Sequence, residues 1–75
     1  MYRYLPVKEF FVSKENGRYS SYGILVICED KKQNAVKAHV SDAFAKYEDA
    51  LHFANLCTEA QLDPIHLIDV LEDTL

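Results

Sequence analysis

The sequence predicts an α+β fold: a three-stranded antiparallel meander followed by two C-terminal helices packed on one sheet face (βββαα). Three observations support this prediction. The pair Asn16-Gly17 stands between two alternating apolar stretches, which is a strong signal for a β-hairpin. Near Ala45 the apolar period changes from two residues to three or four, as it does where strands give way to helices. Asp63-Pro64 marks the start of a second helix, because Asp is a favourable N-cap and Pro a favourable first residue.

Length and composition indicate one globular domain over residues 1–75. The chain has 75 residues, of which 49% are apolar and 27% charged, a globular rather than a disordered composition. A chain of this size buries only about 60% of its unfolded surface, so small domains often add a disulfide, a metal or a partner chain. The opening segment has no apolar signal-peptide core, and no apolar run approaches the roughly 20 residues of a membrane span. We therefore expect a cytoplasmic protein that does not associate with membranes.

The two cysteines, Cys28 and Cys57, do not form a CxxC pair and have apolar neighbours. A reduced cysteine behaves as a small apolar side chain, so buried free thiols are the simpler expectation. Their spacing alone leaves a disulfide open.

Charge is distributed unevenly along the chain. Residues 1–41 carry seven basic and four acidic side chains, whereas residues 42–75 carry one basic and eight acidic ones, so the two parts have net charges of +3 and −7 and the chain has −4. A general nucleic-acid binder needs a basic footprint, and we therefore expect no nucleic-acid partner. The acidic part is either a solvated helical surface or a docking face for a basic partner.

The hairpin register follows from its turn. A type I′ turn with Asn16 and Gly17 at its centre pairs positions whose numbers add up to 33, and it predicts strands over Tyr2–Ser13 and Tyr19–Glu29. The alternation in AVKAHVS, residues 35–41, predicts a third strand.

This register assigns each strand residue to a sheet face. It puts Phe10 opposite Gly23, where the ring could lie across the bare backbone, with a β-bulge as the competing interpretation. Glu9 then falls on an otherwise apolar face and needs a sheet-edge position, a partner or a bulge. The helices are expected to cover the face with Leu5, Val7, Ile24 and Val26. The opposite face carries the predicted interaction surface, which consists of Tyr2, Tyr4, Phe10, Val12, Leu25 and Ile27.

The two helices are predicted over residues 47–61 and from Pro64 to about Asp73, each with an apolar stripe. Two helices can cover only one face of the sheet, and soluble monomers seldom expose a large apolar patch. We therefore expect a homodimer that forms through the uncovered face or along an edge strand. The alternative is a monomer in which Lys and Tyr side chains shield the patch.

The second helix carries a possible metal site. His66, Asp69 and Asp73 recur at i, i+3 and i+7 on one helical face, and carboxylates beside an imidazole can hold a divalent cation if further ligands converge. HEXXH, CxxC and calcium-loop patterns are absent from the sequence. These residues therefore suggest a metal- or small-ligand-binding accessory protein as the alternative function. The competing interpretation is a solvated acidic face with His66 packed or hydrogen-bonded locally.

The sequence contains no recognisable catalytic arrangement. No serine or cysteine stands in a nucleophile motif with a base and an orienting group, and there is no Gly-rich phosphate loop. Aromatic side chains on a sheet can stack single-stranded RNA, but the acidic charge disfavours this. We expect no enzyme and no cofactor. The leading hypothesis is a small interaction or regulatory module, with a further protein partner possible.

Three stretches carry a family resemblance: YRYLPVKEFFV at the start, SYGILV after the turn, and LDPIHLIDVLEDTL at the end. Together they resemble a family of short, uncharacterised bacterial proteins classed as a domain of unknown function. The ending matches a pattern L-x-P-x-H-L-x-D-V-x-E-D-x-L at Leu62, Pro64, His66, Leu67, Asp69, Val70, Glu72, Asp73 and Leu75. The resemblance implies no reaction, but it keeps open a role for the polar residues of the last helix.

Overall fold

The computed structural model describes residues 1–15, 17–30 and 32–74 and confirms the βββαα order of an α+β fold. Strands β1 (Tyr2–Ser13), β2 (Gly17–Glu29) and β3 (Asn34–Phe44) form one antiparallel sheet in the order β1-β2-β3. Helix α1 (Tyr47–Ala60) follows, and a 3-10 turn (Pro64–His66) leads directly into helix α2 (Leu67–Thr74). None of the helices in these residues is long and apolar enough to cross a membrane.

The hairpin register differs from the prediction by three residues. Ser13 pairs with Gly17, and paired positions add up to 30 instead of 33. Gly17, the first residue of β2, has a φ of 70°, a left-handed conformation that glycine adopts without steric cost. The predicted two-residue turn also involved Asn16, which lies outside the described residues. Because side chains alternate between the faces of a strand, a shift by an odd number exchanges the faces, and the predicted face assignment of β1 is therefore wrong.

The correct register puts the two N-terminal tyrosines under the helices. Tyr2 and Tyr4 share a face with Val26 and Ile24, and we call this the covered face. Ile24 and Val26 are in the core as predicted, whereas Leu5 and Val7 belong to the opposite face. The core consists of Tyr4, Ile24, Val26, Phe44, Ala50, Phe53, Ala54, Cys57, Leu67 and Leu71.

Helix α1 is attached to the outer edge of β1 through two polar side chains. The Tyr2 N–H donates to Gln61 Oε1 at 2.9 Å, and Gln61 Nε2 donates to the Tyr2 carbonyl at 3.0 Å. The Tyr4 N–H donates to Thr58 Oγ1 at 2.9 Å. These bonds occupy backbone groups that an additional strand would otherwise use, so the edge of β1 is closed at its N-terminal end.

Two further sequence predictions concern individual residues. Asp63 caps the second helical segment, since its side chain accepts a hydrogen bond from the Ile65 N–H at 3.1 Å, as predicted. Cys28 and Cys57 are free thiols, half-buried and buried respectively. Burial raises the pKa of the Cys57 thiol, which disfavours the reactive thiolate.

Tyr4 couples the stability of the core to pH. Its hydroxyl donates to the Leu62 carbonyl, and the side chain is only 2% exposed. Burial, with smaller contributions from the nearby Cys57 and Asp63 charges, raises the pKa of Tyr4 from 10.0 to about 12. The folded state therefore favours the neutral phenol, and this contribution is complete below pH 10 and is lost as the pH rises toward 12.

We expect the free energy of unfolding to fall more steeply between pH 10 and 12 in the native protein than in a Tyr4→Phe variant. Two pKa units correspond to a difference of about 2–3 kcal/mol at the upper end. Urea denaturation at several pH values measures both slopes. Parallel slopes would show that Tyr4 does not titrate differently in the folded and unfolded states.

Candidate interaction surface

The sheet face opposite the helices is apolar, and we call it the open face. Strand pairing and the alternation of side chains assign to it Leu5, Val7, Phe11, Tyr19, Leu25, Ile27 and Val36. Leu5, Val7, Leu25 and Ile27 are half-buried among their own neighbours, and none of them belongs to the core or packs against it. Val36 remains 65% exposed. The open face is thus mainly apolar on β1 and β2, and Val36 extends it onto β3.

The six residues of the predicted interaction surface fall into three groups. Tyr2 packs against the core and Tyr4 belongs to it, so neither contributes an open surface. Phe10 and Val12 are on the same side of the sheet but beyond the helices, with 78% and 79% exposure. Only the last two predicted residues, Leu25 and Ile27, lie on the open face, where the prediction missed Leu5 and Val7. Glu9 gave no signal of this error, because it shares a face of β1 with Leu5, Val7 and Phe11 in either register.

Glu9 lies on the open face and connects β1 to β3 across the intervening strand β2. Its Oε1 accepts from the Asp42 N–H at 3.0 Å, and its Oε2 accepts from Ser41 Oγ at 3.1 Å and lies 3.1 Å from His39 Nε2. The Glu9 side chain is 15% exposed. Asp42 has a φ of 54°, a costly conformation for a residue with a Cβ, so the bond to its N–H holds a strained bend in β3.

Gly23 of β2 is the residue over which Glu9 passes. A Cβ at Gly23 would lie 2.5 Å from Glu9 Oε1 and 2.6 Å from the Val40 carbonyl oxygen, too close for any other side chain. The pairing of β2 with β3 shifts between Tyr22 and Ile24, so the β-bulge considered from the sequence is present. Val7, and not Phe10, is opposite Gly23, so the predicted packing of Phe10 on this glycine is wrong.

The cluster of Glu9, His39 and Ser41 contains the residue types of a catalytic triad in a different arrangement. In a triad the serine hydroxyl bonds to the imidazole, which in turn bonds to the carboxylate. Here both Ser41 and His39 contact the same carboxylate oxygen. The carboxylate therefore ties two strands together and does not orient His39 as a base for Ser41.

The possible metal ligands of the C-terminal helix are not gathered into a site. His66, Asp69 and Asp73 are all exposed. Within residues 1–15, 17–30 and 32–74, no group of three or more His, Cys, Asp or Glu side chains is arranged to hold a metal ion. The structure of this part of the chain thus favours a solvated acidic face.

Comparison with protein-family models matches residues 1–75 to a Family of unknown function (DUF6514). This match confirms the resemblance inferred from the sequence to a family of unknown function. No curated protein and no solved structure matches the chain. The role of the protein therefore has to be inferred from its own surfaces.

Proposed function

Since the chain belongs to this family of unknown function, we propose from its surfaces that it is a small cytoplasmic interaction module without catalytic activity, which forms a homodimer through its open face. The supporting observation is that Leu5, Val7, Leu25 and Ile27 form an apolar surface that the chain's helices leave uncovered. An apolar patch of a few hundred Å² on a soluble protein often marks an interaction site. The two free cysteines are compatible with the reducing cytoplasm.

A second copy is the partner that the open face fits, because the charges on β1 are self-complementary. Arg3 and Glu9 lie on this face at opposite ends of the apolar row, and six residues of strand separate them by roughly 20 Å. A two-fold axis that lies between the two sheets, perpendicular to the strands and level with residue 6, would place β1 of one copy antiparallel over β1 of the other. Each Arg3 would then lie over the end of the strand where the other copy has Glu9, whose carboxylate reaches toward β3, with the apolar side chains between them.

The size of the open face indicates a weak, reversible contact. Three strands of about nine residues give a projected area of roughly 400 Å² at ordinary strand spacing and rise. A stable interface of standard size buries about 800 Å² of accessible surface on each partner. We therefore expect a dissociation constant in the micromolar range.

Sedimentation velocity over a concentration series from low micromolar to millimolar tests self-association. We expect the mass to rise from that of one 8.6 kDa chain to that of two or more copies as the concentration increases. A single-chain mass at millimolar concentration, without binding of a dye specific for exposed apolar surface, would rule out the proposal.

A further inference from the structure

The geometry points to a second contact between copies, in which the outer edge of β1 pairs antiparallel with the same edge of another copy and the two Phe10 residues lie opposite each other. We call residues 8–12 of this edge the free edge. This contact goes beyond the proposed function, because it uses the edge of the sheet and not its open face. The two contacts can therefore be present or absent independently.

The backbone groups available on the free edge follow from the bonds already described. The N–H groups of Tyr2 and Tyr4 point outward to the side chains of α1. In an antiparallel strand alternate residues direct both N–H and C=O to the same side, so the backbone groups of Lys8, Phe10 and Val12 point outward as well. Pro6 would belong to this series but has no N–H. In the described residues, the outward N–H groups of β1 that helix α1 leaves unbonded thus begin at Lys8.

The limits of the free edge determine the register of the contact. At one end α1 occupies the edge as far as Tyr4, and at the other end β1 ends at Ser13, before the turn. Phe10 is close to the middle of the intervening stretch. An antiparallel strand centred at Phe10 would place Lys8 opposite Val12 of the second copy. Strand β1 of the second copy would end opposite Val7, before the part of the edge that α1 occupies. Three hydrogen-bonded pairs with about six backbone hydrogen bonds would form without displacing α1.

The side chains at the free edge favour the same contact. Phe10 and Val12 are 78% and 79% exposed, and the Lys8 ammonium lies 5.4 Å from the centre of the Phe10 ring. Pairing would place the two Phe10 rings side by side, and such cross-strand aromatic pairs stabilise sheets. It would also shield Val12 beneath the Lys8 stem of the other copy. A second copy therefore satisfies both the backbone and the apolar side chains of this edge.

Edge pairing joins two three-stranded sheets into one of six strands. The open faces of both copies then lie on the same side of the larger sheet. Four copies that use both contacts would form two six-stranded sheets packed face to face. An exposed edge of β1 would no longer be available in that assembly.

Disulfide trapping tests the register of the edge contact in a Cys28→Ala background. In a hydrogen-bonded antiparallel pair the Cα atoms are about 5.5 Å apart, within disulfide range, so Phe10→Cys is expected to form a covalent dimer on mild oxidation. Val12→Cys is the matched control, because its two copies would be roughly 13 Å apart and should not link. A mixture of Lys8→Cys and Val12→Cys chains should link to each other. Equal trapping at positions 10 and 12, or none at position 10, would overturn the proposed register.

A proline variant tests whether backbone pairing carries the contact. Phe10→Pro removes an outward N–H and breaks no hydrogen bond to β2, so the fold is expected to persist while edge association weakens at least about tenfold. Phe10→Thr retains the N–H and serves as its control for loss of the ring. Circular dichroism verifies folding, and sedimentation measures the mass. An unchanged mass for a folded Phe10→Pro variant would exclude the edge contact and leave the open-face dimer standing. Loss of association in Phe10→Pro but not in Ile27→Lys would support the edge contact and exclude the open-face contact.

Discussion

An Ile27→Lys substitution is expected to abolish the contact between open faces and to leave the fold intact. Ile27 lies on the central strand, opposite Arg3 on one side and Val36 on the other. A lysine there would bring an unpaired ammonium into the apolar contact beside an existing arginine, and burying such a charge is costly. We expect association through this face to weaken by about 2–4 kcal/mol, or roughly 30- to 1000-fold.

The matched control for this substitution is Ile65→Lys. Ile65 is 78% exposed in the 3-10 turn before α2, away from the sheet, so the same change of charge and size should leave association unaltered. Sedimentation of both variants in the Phe10→Pro background isolates the open-face contact from the edge contact. Equal dissociation constants for the two lysine variants would contradict a role for the open face.

A Gly23→Ala substitution is expected to destabilise the fold by about 2–3 kcal/mol, which corresponds to a lowering of Tm by roughly 10–20 °C in a domain of this size. The added Cβ would lie 2.6 Å from the Val40 carbonyl oxygen, which is backbone, and 2.5 Å from Glu9 Oε1. Relief of the two clashes requires both separation of β2 from β3 and displacement of the Glu9 carboxylate. Displacement would release the Asp42 N–H that holds the bend of β3.

A double-mutant cycle with Glu9→Ala separates these two consequences. Removal of the carboxylate relieves one of the two clashes, so Gly23→Ala should cost less in the Glu9→Ala background than in the native chain. Thermal and urea denaturation of the four proteins give the coupling free energy. Additive effects would show that Glu9 and Gly23 do not share a site, and a destabilisation below about 0.5 kcal/mol for Gly23→Ala would show that the sheet adjusts without cost.

The predictable part of the fold depended on short-range signals. Asp63 and Pro64 mark a helix start because both act on the first turn of their own helix. The strand bounds of β1 and the start of α1 followed from the period of the apolar residues. The third strand was predicted too short because its last residues are bent at Asp42 by a carboxylate from β1. Glu9, which supplies this carboxylate, is distant in sequence, so the residues around Asp42 give no sign of the bend.

The candidate surface was only partly predictable for a related reason. That the sheet is apolar on both sides, and that two helices cover one of them, followed from composition and period. Which side of β1 is covered depended on a loop of three residues instead of two, a difference that leaves the apolar pattern of each strand unchanged. Tyr4 and Leu5 consequently exchanged places between core and open face.

The sequence alone determined the order of strands and helices, the cap of the second helix and the excess of apolar sheet over helix, because each depends on neighbours a few residues apart. Only the tertiary structure decided the register of the hairpin, the side of the sheet that stays open and the closed end of the β1 edge. These depend on the turn that ends at Gly17, on Glu9 passing over Gly23, and on Thr58 and Gln61 reaching β1. Contacts between residues so far apart along the chain form only when the whole domain packs. The local pattern of residues is compatible with more than one set of such contacts.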